Sequence, residues 1–212
     1  FSLQTASGTV ISGLNLEDCQ TALSVENTFN CIVTDIKAVN VAEGVILAGN
    51  SGLEFSRFDL RKVRGTGLRV VDRQPAKIRN GLIQSVQTGV ITGAAAANLQ
   101  YLTVDAGNGM IVEGSDLPTI KNCILVNRGN QNTGVGIEDK LGGAGRSYPY
   151  NNIYGFSQAT VNCDQNGAPI INLDPLFVGG DEENYSYRLR ADSPVINSSD
   201  RSGQPGAYGS DS

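Results

Sequence analysis

Thr66-Gly67-Leu68-Arg69-Val70 and Thr88-Gly89-Val90-Ile91-Thr92 share one pattern: polar, small, apolar, variable, apolar. The same five positions recur at Thr21-Ala22-Leu23-Ser24-Val25, Glu43-Gly44-Val45-Ile46-Leu47 and Asn108-Gly109-Met110-Ile111-Val112. Their first apolar residue falls at 23, 45, 68, 90 and 110, in steps of 22, 23, 22 and 20. A sixth copy, Thr133-Gly134-Val135-Gly136-Ile137, follows after 25 residues. Alternation with period two marks a strand with one buried face. Self-similarity at a near-constant step marks stacked, repeated units.

Working outward, a second alternating pair precedes most copies: Leu14/Leu16, Ile36/Ala38, Phe58/Leu60 and Leu102/Val104. Leu82 fits less well, because Gln84 occupies its second slot. Two or three short strands per unit cannot bury their apolar face alone, whereas stacking them into coils does so. The Gly and Asn residues between them supply left-handed corners. A leucine-rich repeat needs its own leucine spacing and Asn ladder, which are missing, and a β-sandwich does not repeat one motif at so even a step.

The reading is therefore all-β: a single-stranded right-handed parallel β-helix of about seven coils, ~22 residues each, on the order of 35 Å long. It occupies residues 1–173. The pattern loosens from Cys123-Ile124-Leu125-Val126-Asn127, where the loop Arg128–Thr133 lengthens a coil. Residues 174–212, rich in Pro, Gly and Ser, form an irregular C-terminal cap of the same domain, expected to cover the open end of the stack.

Composition agrees. The 212 residues include 26 Gly, one Met and no Trp, and only 17% are charged. A net charge of −5 argues against a nucleic-acid partner. No run of 18 apolar residues exists, so no membrane span is expected. The opening Phe1-Ser2-Leu3, without Met or a basic-apolar leader, reads as a mature or excised piece. Cys19, Cys31, Cys123 and Cys163 show no C-x-x-C spacing and there is no His, which leaves zinc without its usual ligands. Disulfides (Cys19 with Cys31, Cys123 with Cys163) and buried free thiols both stay open.

Several stretches carry a family resemblance. They are Ile120-Lys121-Asn122-Cys123-Ile124-Leu125, Asn151-Asn152-Ile153-Tyr154-Gly155 and Asp174-Pro175-Leu176-Phe177-Val178, then Tyr187-Arg188-Leu189-Arg190, Ser193-Pro194-Val195-Ile196-Asn197 and Gly206-Ala207-Tyr208. Together they resemble the closing coils of secreted right-handed parallel β-helix proteins of the pectate-lyase-like superfamily. That resemblance implies the fold and a secreted or cell-surface location. The superfamily includes polyuronide lyases, epimerases, glycoside hydrolases, surface adhesins and phage tail proteins, so it implies no single activity and no catalytic residue.

Charge is the most informative asymmetry. Of 16 basic residues, eight fall within one period: Arg57, Arg61, Lys62, Arg64, Arg69, Arg73, Lys77 and Arg79. On a solenoid that window is a belt around one coil, and Arg57 and Arg79, 22 apart, are expected to stack. Arg57, Arg61, Lys62, Arg69 and Arg79 are the candidate substrate-binding residues, able to grip the carboxylates of an acidic polysaccharide through bidentate contacts. In a lyase, one cation with a lowered pKa would abstract a proton while its neighbours neutralise the carboxylate. The simpler reading is a solvated coil whose heads pair with Asp35, Glu54, Asp59 and Asp72. A paired-carboxylate hydrolase would need Asp59 to work with Asp35 or Asp105.

Ile46, Ile91 and Ile111 take the outward middle position of the repeated strand, a candidate partner interface for a homo-oligomer or neighbouring domain. No cofactor is required. Asp181-Glu182-Glu183, beside Gly179-Gly180, is a candidate calcium ligand set, against the simpler reading as a polar loop. The reading that follows is an extracellular module that binds carbohydrate through its basic coil. Two others stay open: a polysaccharide lyase or glycoside hydrolase acting on a uronic-acid glycan, and a structural element of an adhesin, filament or tail assembly.

Overall fold

The computed structural model describes residues 1–71, 76–93, 97–142, 145–164, 170–181, 185–200 and 205–207. The chain winds into an all-β parallel solenoid of about seven turns. No helix among the described residues is long and apolar enough to cross a membrane. Each complete coil contributes to three faces. The first face stacks Thr21–Glu26, Glu43–Ala48, Thr66–Val71 and the ends of Lys77–Thr92 and Asn98–Val112, then Val135–Asp139 and Gln158–Val161. The second and third faces are the two halves of Ile32–Val39 and Glu54–Val63, continued by the early parts of the two long strands.

The repeated motif sets the interior. Leu23 pairs with Val45, Val45 with Leu68, Leu68 with Val90, Val90 with Met110 and Met110 with Ile137, all closed to solvent. Burying each such side chain contributes about 1.5–3 kcal/mol. The opposite wall stacks Leu60, Ile83, Val104, Leu125 and Ile153. The small residue of the motif has a steric reason. A Cβ on Gly67 would lie 2.7 Å from the Gly89 carbonyl oxygen and 2.2 Å from Ile83, and one on Gly89 would meet Val104 and the Gly109 oxygen. Gly44, Gly109 and Gly136 are equally confined.

The second and third faces meet at single left-handed residues, stacked as Gly13, Asp35, Arg57, Asn80, Tyr101 and Asn122. The third face turns into the first at Asp18, Asn40 and Lys62, also left-handed. One coil is a residue longer here, so Phe58 opposes Gly81 and Leu60 opposes Ile83. The expectation for Leu82 is thereby corrected: Leu82 points outward, and Gly81 and Ile83 take the interior slots. Gly81 leaves room for the Phe58 ring, which stacks on Phe55 at 4.2 Å.

Ile171 extends the last rung by a bridge to Asn152, and described residues beyond Asp174 run back along the third face. The reason is visible in the outward column of that face. Asn15, Lys37 and Asp59 give way to Leu82, Thr103 and Ile124; Val195, Phe177 and Leu189 pack against Ile124 and Val126, and Ala207 donates to the Thr103 hydroxyl. All four cysteines are free thiols, with Cys31 and Cys123 buried, and burial pushes the Cys123 thiol up to about 12.

Two outcomes test this packing. Gly67→Ala is expected to cost at least about 2 kcal/mol in urea denaturation, because its neighbours on both sides are backbone or interior. Gly129→Ala, with open space around it, is expected to stay within about 0.5 kcal/mol. The buried Thr92 hydroxyl, in the interior column between Val70 and Val112, makes no hydrogen bond with a described residue. Thr92→Val is expected to stabilise by about 1 kcal/mol in the same assay.

Candidate functional site

One coil of a solenoid visits every face, so its charges are distributed around the rod. Arg57 stands at the second corner, Arg61 faces out from the third face, Lys62 holds the next corner, Arg69 sits on the first face and Arg79 on the second. Arg57 and Arg79 do not stack: Arg79 opposes Ser56, and Arg57 opposes Asn80. The extra residue in that coil is the cause. Arg57 instead lies over Asp35 and grips it bidentately, Nε to Oδ1 and NH2 to Oδ2, each 2.8 Å. Lys77 pairs with Glu54 at 2.9 Å and Arg61 with Asp59 at 2.8 Å. Those pairings match the solvated-coil reading; Arg73 and Asp72 lie outside the described residues.

Two grooves flank the third face. The first, about 580 Å³, lies at the corner of Gly13, Asp35, Arg57 and Asn80, with Asn15, Lys37 and Asp59 beside it. The second, about 620 Å³, follows the turn from the third face to the first. Lys62, Arg64, Gln84, Arg128, Asn130 and Thr133 line it, with Asp105. Of the five expected binding residues, one enters each groove: Arg57 the first and Lys62 the second. Arg61 is taken up elsewhere, donating from NH1 to the Tyr185 carbonyl at 3.0 Å and so pinning the tail.

Arg57 and Lys62 occupy left-handed backbone at φ 51° each. Gly13, Asp18, Asn40 and Asn80 fill the same two columns at less cost, since a long side chain there forfeits roughly 1 kcal/mol. Both side chains are exposed, so packing does not return it.

Arg128, Tyr185 and Tyr187 were not candidates from sequence, and Asp105 was one only as a possible hydrolase partner of Asp59. Arg128 donates from Nε to Asp105 Oδ2 at 2.7 Å and from NH2 to the Tyr187 hydroxyl, also at 2.7 Å. Tyr187 donates to the same carboxylate at 2.6 Å, and the guanidinium lies 3.5 Å from the centroid of the Tyr185 ring. Burial raises the Tyr187 phenol well above its ordinary range, so it stays protonated. Asp105 and Arg128 line the second groove, and through Tyr185 and Tyr187 they anchor the hairpin of Phe177–Gly179 with Ser186–Leu189. The available signal was the 25-residue step: a lengthened coil places a loop on one face, often the binding face.

The remaining candidates fall apart spatially. Ile91 and Ile111 are adjacent on the outside of the first face, but Arg69 separates them from Ile46. Ile91 is only 8% exposed. Of the calcium candidate, Asp181 is exposed beside Gly179 and Gly180, while Glu182 and Glu183 lie outside the described residues. Proton chemistry at the first groove is poorly served. A lyase base needs a lowered pKa, whereas the hydrogen bond to Asp35 raises that of Arg57. The same bond holds the Asp35 carboxyl at about 2, so it carries no proton to donate near neutrality.

No protein-family model matches the chain, and no curated protein sequence matches it.

The Asp35–Arg57 pair makes a pH-dependent signature. Its folded carboxyl keeps charge to lower pH than in the unfolded chain, where 3.8 is usual. The pair's stabilisation is therefore complete above about pH 4 and lost as pH falls toward 2. By NMR, the Asp35 carboxyl carbon is expected to titrate near 2 and to return toward 4 in Arg57→Gln.

Proposed function

We propose that the protein is an extracellular carbohydrate-binding solenoid of the pectate-lyase-like kind, holding an acidic polysaccharide in the second groove. One observation carries this reading: three cations, Lys62, Arg64 and Arg128, line a groove whose carboxylate is Asp105. Both oxygens of that carboxylate already accept from Arg128 or Tyr187. The lining is thus locally positive on a chain of net charge −5. Local sign decides, because charges more than about 8 Å away are screened at physiological salt. Gln84, Asn130 and Thr133 supply neutral donors and acceptors for hydroxyl groups beside the cations.

Several alternatives fit less well. Duplex nucleic acid presents a charge about every 1.7 Å, more than three cations can match, while a uronate chain presents one per sugar. Binding is favoured over cleavage because Asp105, hydrogen-bonded on both oxygens and mostly buried, is badly placed to exchange a proton with a substrate. The polymers concerned occur outside cells, consistent with the secreted location implied by the resemblance of the closing coils.

Isothermal titration with oligogalacturonates and alginate oligomers tests the reading. Wild type is expected to bind, more weakly at 0.5 M NaCl. Lys62→Gln with Arg64→Gln is expected to lose at least tenfold in affinity, since hydrogen bonds to charged groups contribute about 1.5–3 kcal/mol each. Silence of the wild type across the acidic panel overturns the proposal. Release of ultraviolet-absorbing unsaturated products replaces it with the lyase reading.

A further inference from the structure

We infer that the first groove is a second, independent saccharide site, which takes an uncharged sugar chain. It does not rest on the reading of the second groove. Its polar lining is balanced: Lys37 and Arg57 face Asp35 and Asp59. A polyanion gains little there, because each cation has a carboxylate in the same groove. A neutral glycan fits better. Every sugar hydroxyl both donates and accepts, and this lining alternates donors with acceptors at close range.

The groove is also rigid. Arg57 commits two of its five N–H groups to Asp35, leaving three directed by a fixed fork. The Ser12 hydroxyl donates to the same carboxylate at 3.0 Å, holding it from the other side. Ile36, Phe58 and Leu82 close the floor, and Ala207 of the tail borders it. A peptide cannot add there as a strand, because the backbone around Ile36 and Phe58 is already paired to a coil on each side.

Arg57 holds a left-handed corner that Asp35 and Asn80 fill in the neighbouring coils; the bidentate pair with Asp35 fixes its guanidinium at the groove, where its side chain is 61% exposed. The outward ridge of Asp59 and Arg61, with the tail hairpin bound to Arg61, separates this groove from the other one.

The test titrates the full chain with neutral hexasaccharides (cello-, xylo-, manno- and galacto-series) at 0.5 M NaCl, followed by calorimetry and amide NMR. At least one series is expected to bind, with shifts centred on Gly13, Asp35 and Asn80. Arg57→Asn removes the fork and leaves a residue suited to the corner, so the melting temperature is expected to hold or rise while affinity drops at least tenfold. Lys62→Gln with Arg64→Gln is expected to bind the neutral chain unchanged. The inference is overturned if no neutral series binds at millimolar concentration, if Arg57→Asn binds as well as wild type, or if a displayed peptide library occupies the groove instead. Acidic binding lost in the Lys62/Arg64 variant, with no neutral binding anywhere, overturns this site alone and leaves the proposed function standing.

Discussion

Everything in this molecule depends on the advance of one strand spacing, roughly 4.8 Å, with each coil. That advance places every residue over its own copy, so a position is not one residue but a column, and the column must tolerate itself. Apolar columns satisfy this at once, as Leu23 to Ile137 do. The tightest column, between Ala22 and Ala159 at its ends, tolerates only backbone in its middle. Gly44, Gly67, Gly89, Gly109 and Gly136 lie where the next carbonyl and the opposite wall fill the space that a methyl group would take. Polar exceptions inside need local remedies. Asp139, in line with Val112, receives hydrogen bonds from Arg146, Tyr148 and the N–H groups of Leu141 and Gly142. Burial works against its charge, yet those donors outweigh it and hold the carboxyl below its usual range.

The same geometry explains why clustering in sequence is a poor guide to clustering in space. A run of cations one period long necessarily circles the rod. What gathers side chains is the vertical direction, across coils: Lys62 and Arg64 come from one coil, Gln84 from the next and Arg128 from a lengthened one. Arg57 meets Asp35 in that direction too, as an opposite charge from the coil before. Stacking like on unlike converts a costly column into a fixed ion pair.

The stack was legible in the sequence because the strand motif states both its period and its inward face. Leu23, Val45, Leu68 and Val90 needed nothing but spacing to be placed in one column. Corner conformations were less legible. Gly13 and Asn80 announce left-handed backbone, whereas Arg57, Lys62 and Tyr101 adopt it only because the coils above and below impose it. Leu82 and the Arg57–Arg79 stack failed for one shared reason, a single added residue that shifts the strand by one and reverses which side chains face inward. The joining of Tyr187 to Asp105 and Arg128 was out of reach for another: it spans 59 and 82 residues, and no periodic signal connects the tail with the coil on which it lies.

That last separation has a consequence for assembly. Neighbouring coils meet across about 22 residues, so the stack can grow rung by rung from short loop closures. The returning tail has no such local route. Tyr185 and Tyr187 meet Arg61, Asp105 and Arg128 on rungs that must already be stacked to present them together, and Ala207 reaches back 104 residues to Thr103. Its contacts are those of the highest sequence separation in the fold, a clasp laid over a spine built from near neighbours.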